Sequence, residues 1–174
     1  MSAALLIIDM QIGLFQGQEK PHDGERMLAN IQHLIALARH RQVPIFAVRH
    51  TGPAGSPIAA SSAFWQLLPA LELDAANATF VDKLRPNAFH GTELARQLNS
   101  ANIEDLYIVG MKTQFCIDST CRAAADLGFK PLLVADAHTC MDTPVLPAQA
   151  IIEHHHATLG AAFVRLINTA DIAF

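Results

Sequence analysis

Asp105-Leu106-Tyr107-Ile108-Val109-Gly110-Met111-Lys112-Thr113-Gln114-Phe115-Cys116 is the stretch whose reading decides the fold. Asp105 to Val109 reads as a short strand ending at Gly110, and Phe115 to Leu127 as a helix stopped by Gly128. An apolar run without alternation predicts a strand covered on both faces, the mark of a parallel sheet. Before it, Ala4 to Ile8 and Val43 to Val48 read as strands, the second opening near Pro44. Between them, Glu25 to Arg41 carries Met27, Leu28, Ile31, Leu34, Ile35 and Ala38 on one helical face.

Arg49 to Ser62 is rich in Gly, Pro and Ser and reads as loop, and a long loop of this kind often lines a site. A short helix over Phe64 to Leu68, a short strand over Thr79 to Val81 and a helix over Thr92 to Ser100, with Thr92 as its cap, complete the first half. Beyond the deciding stretch come a strand from Lys130 to Ala135 ending at Asp136, a helix from Pro147 to Leu159 closed by Gly160, and a last strand from Ala162 to Ile167. Strands alternating with helices predict an α/β fold, a three-layer α/β/α sandwich around a mostly parallel, six-stranded, Rossmann-like sheet.

The 174 residues fit one domain, 1–174, with no internal repeat or linker. Hydrophobic residues make up 51% and charged residues 16%, which excludes a disordered chain and predicts a large core with a buried subunit interface, in a homodimer or dimer-based tetramer. Twelve basic against 16 acidic residues give a net charge of −4, which excludes a nucleic-acid footprint. The apolar run before Asp9 is too short for a membrane span and lacks a basic leader, so it is expected to be a buried strand. Three cysteines, an odd number, do not make a disulfide scaffold and point to a reducing, cytoplasmic setting.

Polar residues recur just beyond the predicted strand ends: Asp9, His50, Lys83, Gly110 and Asp136. Ligands of open α/β sheets bind there. Cys116 falls in the first turn of a helix that Thr113 can cap, where free N–H groups and the helix dipole favour a thiolate and can receive an oxyanion. The same position suits an inert cysteine packed on the sheet. Cys121, five residues on, faces elsewhere and is expected in the core. Asp9 serves as a general base or as a turn cap, because a carboxylate at a strand end needs a partner. Lys83 alone reads as a lysine whose stem lies along apolar surface with its head in water. A carboxylate, an ammonium and a thiol converging beyond one sheet edge can perform acyl transfer. No Gly-rich phosphate loop follows the first strand, where the sequence runs Asp9-Met10-Gln11-Ile12-Gly13, which disfavours a nucleotide binder.

Leu6-Ile7-Ile8-Asp9-Met10-Gln11, Lys83-Leu84-Arg85-Pro86-Asn87-Ala88-Phe89 with Thr92 and Leu94, Gly110 through Asp118 with Thr120-Cys121-Arg122, and Asp136-Ala137 occur here in an order and spacing that resembles the isochorismatase-like cysteine hydrolases. That group includes nicotinamidases and N-carbamoylsarcosine amidase. The resemblance implies a catalytic triad of Asp9, Lys83 and Cys116, in which the thiolate attacks an amide carbonyl, Asp9 shuttles the proton and a thioester is hydrolysed. It also implies an oxyanion hole from the backbone N–H groups of Lys112 and Cys116, and a non-proline cis peptide at Met111-Lys112. Vinyl-ether or ester hydrolysis on the same scaffold, and a catalytically silent binding or structural protein, remain the alternatives.

Nicotinamidases carry an Asp-x-His stretch after the second strand as part of a metal site. Here the stretch reads Val48-Arg49-His50-Thr51-Gly52, so neither metal nor other cofactor is expected and His50 is assigned to the pocket wall. His154-His155-His156 lies mid-helix, where successive side chains diverge by about 100°, so it does not present three convergent ligands. Gln11, Phe15, His50, Trp65, Arg85, Phe89, Gln114 and Phe115 are the expected walls of a pocket for a small-molecule substrate, with Arg85 suited to a carboxylate or to a structural ion pair.

Overall fold

Six strands pair in the order β3-β2-β1-β4-β5-β6, every neighbour parallel, in a computed structural model that describes residues 2–174. They are β1 (Ala3–Ile8), β2 (Ile45–His50), β3 (Thr79–Lys83), β4 (Asp105–Met111), β5 (Lys130–Thr139) and β6 (Arg165–Ile167). The helices are α1 (Ile12–Phe15), α2 (Gly24–His40), α3 (Leu94–Ser100), α4 (Asp118–Asp126) and α5 (Ala148–Ala162). Successive strand residues point to opposite faces. Leu5 and Ile7 therefore join Val109 and the buried face of α2, namely Met27, Ile31, Leu34, Ile35 and Ala38, in one core layer. Leu6 and Ile8 join Ile108 with Leu94, Leu98, Ile117, Cys121 and Leu159 from α3, the turn after β4, α4 and α5 in the other. Each such side chain contributes about 1.5–3 kcal/mol on burial. No helix among the described residues is long and apolar enough to cross a membrane.

The three-layer sandwich is as expected, and the differences lie at element ends. β2 starts after Pro44 and runs to His50, because Arg49 and His50 pair with Asp82 and Lys83 of β3. β5 does not stop at Asp136; it runs to Thr139 beside Gly110 and Met111 after a register shift. The Asp136 carboxylate instead accepts from the N–H and hydroxyl of Thr169. Gly160 does not close α5, which continues to Ala162. The short helix expected at Phe64 to Leu68 is two 3-10 turns, Ala63–Trp65 and Pro69–Leu71, parted where Leu68 N–H bonds to Met10 C=O. The N-cap position of α3 is Glu93, whose side chain makes no cap bond; the Thr92 hydroxyl donates to Ala88 C=O at 2.6 Å and accepts from Leu94 N–H at 3.4 Å.

The chain changes direction across the sheet between β1 and β4, and their carboxyl ends meet at Ile8 and Gly110. Gly110 has φ +117, and a Cβ there would lie 2.0 Å from Ile8 O. A side chain is excluded at that crossing.

Candidate active site

Asp9 directly follows β1 with a left-handed φ of 54 and is held by its N–H bond to Val48 C=O. Lys83 is the last residue of β3, two strands away, and His50 ends the β2 strand between them in register with Lys83. The lysine stem crosses the end of β2, and its Nζ donates to Asp9 Oδ2 at 2.8 Å, to His50 Nδ1 at 2.9 Å and to Cys116 Sγ at 3.2 Å. Three donors meet three acceptors, which fills the capacity of an ammonium. Lys83 and Asp9 side chains are sealed from solvent, at 0% and 1% exposure. Such a buried cation is tolerable only because every hydrogen is used.

Cys116 sits in a π-helical turn, Thr113–Ile117, that precedes α4. The helical segment thus begins before Phe115, and Thr113 does not cap it. Its hydroxyl is 2.9 Å from Nδ1 of the buried His138, whose Nε2 is 2.8 Å from His156 Nε2. The Met111-Lys112 peptide is cis.

Burial, and then the Asp9 charge, push the Cys116 thiol up to about 12 against the opposing pull of Lys83. At neutral pH this favours the thiol over the thiolate that the helix start and Lys83 alone would favour. Burial also raises Asp9, with Lys83 pulling the other way. Asp9 Oδ1 is buried without a hydrogen-bond partner, and the Cys116 Sγ lies within 4.8 Å of the carboxylate, so the free lone pairs are available to the thiol proton. Burial and Lys83 lower the His50 pKa and keep the ring neutral. Asp9, His50 and Cys116 form a metal-ligand type of donor set, and one atom of each residue, Asp9 Oδ2, His50 Nδ1 and Cys116 Sγ, already accepts from Lys83 Nζ.

A cavity of about 290 Å³ opens onto Cys116, lined by Asp9, Leu14, His50, Ile58, Pro86, Lys112, Phe115 and Cys116. A larger one, about 510 Å³, lies between α2 and α5 and contains none of Asp9, Lys83 or Cys116, so chemistry and not volume identifies the site. Of the expected walls, only His50 and Phe115 line the smaller cavity. Gln11 is buried behind it: its amide donates to His50 C=O and Trp65 C=O and accepts from His50 N–H at 2.7 Å, pinning the end of β2. Trp65 donates to Thr51 Oγ1 and packs under the Arg49 guanidinium. Phe15 packs into the α2 core layer, and Phe89 stacks on Phe129 in the opposite layer. Arg85 is exposed to solvent, and Gln114 lies outside the lining with its Oε1 unpartnered. Leu14, Ile58 and Pro86 were not singled out from sequence; Ile58 lies in the Gly/Pro-rich loop whose length marks it as site-lining.

The isochorismatase domain family matches residues 3–171. The chain belongs to the isochorismatase family. This isochorismatase-family chain is 28% identical over 144 residues to a streptothricin hydrolase of Streptomyces noursei, covering 83% of this chain and 52% of that protein. It therefore spans about half the length of that relative. An isochorismatase family protein of Bacillus subtilis is 29% identical over 170 residues, 93% of this chain and 91% of its own length. The crystal structure of an isochorismatase from Pseudomonas putida KT2440 superposes with a TM-score of 0.90 at 30% identity, over 98% of this chain and 89% of that one. In this member of the family the three successive histidines of α5 diverge as expected: His154 is 3.4 Å from the Thr158 hydroxyl, His155 bonds Ile151 C=O and His156 meets His138.

Proposed function

We propose that this chain is a cysteine-dependent hydrolase that cleaves a small amide through a thioester on Cys116. The observation that carries the reading is one buried ammonium, Lys83 Nζ, bonded to both the carboxylate of Asp9 and the sulfur of Cys116, two groups that line a cavity. Asp9 takes the thiol proton as sulfur bonds to the carbonyl carbon. The backbone N–H groups of Lys112 and Cys116 receive the resulting oxyanion. The C–N bond then breaks, Asp9 passes its proton to the leaving nitrogen, and an acyl thioester remains. Water gives a proton to Asp9 and attacks that carbon; the C–S bond breaks, the sulfur regains a proton and a carboxylic acid leaves. Lys83 holds the carboxylate and sulfur in place throughout.

A panel of small amides with intact-mass detection tests this. The wild type is expected to turn over at least one amide and to carry a transient acyl mass on Cys116, both abolished in Cys116→Ala. A C116A protein that hydrolysed a verified substrate at the wild-type rate would overturn covalent catalysis.

The same reading includes a homodimer or dimer-based tetramer working in a reducing cytosol. Exposed Val145 and Leu146, at 85% and 45%, and three free cysteines support it. Light scattering at 18.8 kDa over a wide concentration range would overturn the self-association.

A further inference from the structure

The walls of the Cys116 cavity that lie away from the reacting atoms are Leu14 of α1, Ile58 of the loop after β2, Pro86 after β3, and Phe115. None has a side-chain hydrogen-bonding group. The cation nearest the sulfur, Lys83, has its three hydrogens committed to Asp9, His50 and Cys116, so it has none for a substrate anion. Because His50 Nδ1 accepts from Lys83, the ring proton sits on Nε2, and His50 offers an uncharged donor. Arg85, the residue best suited by sequence to a carboxylate, is exposed and absent from the lining. A charged substituent of either sign lying against Leu14, Ile58, Pro86 and Phe115 would trade water for apolar walls.

Building on the hydrolase reading, we infer that this site selects a neutral amide with an apolar, uncharged body fitting a cavity of about 290 Å³, bounded by Leu14, Ile58, Pro86 and Phe115. Its specificity is set by the four walls away from the sulfur: none of Leu14, Ile58, Pro86 and Phe115 carries a group that can pair with a charge on the part of the substrate lying against them, and the charged lining residues are Asp9 and Lys112.

Labelling of Cys116 by matched chloroacetamides reads this selection without needing amide turnover, so it stays informative if the hydrolase reading fails. N-butyl, N-(3-carboxypropyl) and N-(3-aminopropyl) chloroacetamides have similar lengths and differ in charge. In each, the Cys116 sulfur bonds to the CH2 carbon, the C–Cl bond breaks, chloride leaves and the thiol proton goes to Asp9. Rates are measured by intact mass, normalised to each reagent's rate with 2-mercaptoethanol, with C116A as the control for Cys121 and Cys140. The neutral reagent is expected to label at least about tenfold faster than either charged one. Ile58→Lys, which puts an ammonium into one of the apolar walls, is expected to raise the anionic rate about fivefold relative to the neutral rate, and an unchanged ratio would count against the proposal. Equal labelling by neutral and anionic reagents, faster anionic labelling (which would point to the Lys112 ammonium), or no labelling by the neutral reagent would each overturn the proposal.

Discussion

The Lys83 ammonium meets the Asp9 carboxylate at 2.8 Å with both side chains withdrawn from water. Removing one member of such a pair costs far more than the pair contributes, because the other charge is left buried alone. Lys83→Met is therefore expected to abolish activity and to destabilise the fold by about 3–5 kcal/mol at pH 8. Without Lys83 the largest influence opposing the burial that raises Asp9 is gone, so Asp9 is driven toward its protonated form, at a cost that shrinks as pH falls. Urea unfolding at pH 8 and pH 5 checks this: the K83M penalty should be smaller at pH 5, and an equal penalty would contradict a charged Asp9 in the wild type.

The rate profile follows from the same carboxylate. Asp9 must be ionised to take the thiol proton, and burial raises its pKa, so the acid limb of kcat/KM should lie above the ordinary aspartate value of about 3.9. Asp9→Asn should lower turnover by about 10²–10⁴-fold. It also removes a like charge from beside the sulfur, so the midpoint of the Cys116 titration, read by thiolate absorbance, should fall from about 12. The native thiol keeps its proton between the ordinary cysteine pKa of about 8.5 and about 12, where the unfolded chain has lost it. Stability should therefore fall as pH rises through that window, and less steeply in C116A.

His138 is held neutral, with its pKa pushed down to about 3 by burial and then by His156 and His155. The unfolded chain binds a proton on this residue below about pH 6.5 and the native state does not. Stability should thus fall as pH drops from about 6.5 toward 3, and the stability gap between wild type and His138→Gln should narrow over that range. A gap independent of pH in chemical denaturation would show that His138 is charged in the native protein.

Gly110→Ala places a methyl 2.0 Å from Ile8 O at a φ of +117. Relief requires β4 to move away from β1 at the point that carries Asp9 on one side and the Cys116 turn on the other. The expected loss is about 3 kcal/mol or more in thermal or urea unfolding, with activity falling even in the folded fraction. A variant with wild-type stability would mean that the strands part there without strain.

Much of the fold was legible because its signals are local. Runs such as Leu5 to Ile8 and Leu106 to Val109 specify doubly covered strands, and the spacing of Met27, Ile31, Leu34, Ile35 and Ala38 specifies the buried face of α2. The positions of Asp9, Lys83 and Cys116 at strand ends were legible for the same reason. The ends of β5 and α5 were not, because Asp136 and Gly160 look like terminators and it is pairing with β4 and helical continuation that carry the chain past them.

The amino-acid sequence by itself determined the alternation of strand and helix and the parallel sheet, since each depends on residue type and short-range period, and its resemblance to the family named Asp9, Lys83 and Cys116 as the candidate triad. Only the tertiary structure decided the rest. Lys83 bonds His50 as well as Asp9 and Cys116 because the β2–β3 register sets it beside His50. Cys116 rests as a thiol because burial outweighs the helix start and the ammonium. Phe89 and Trp65 left the pocket for Phe129 and Arg49, while Leu14, Ile58 and Pro86 entered it. Pocket walls come from segments far apart in the chain, and which aromatic turns inward is set by packing across the sheet, a long-range energy that no local pattern encodes.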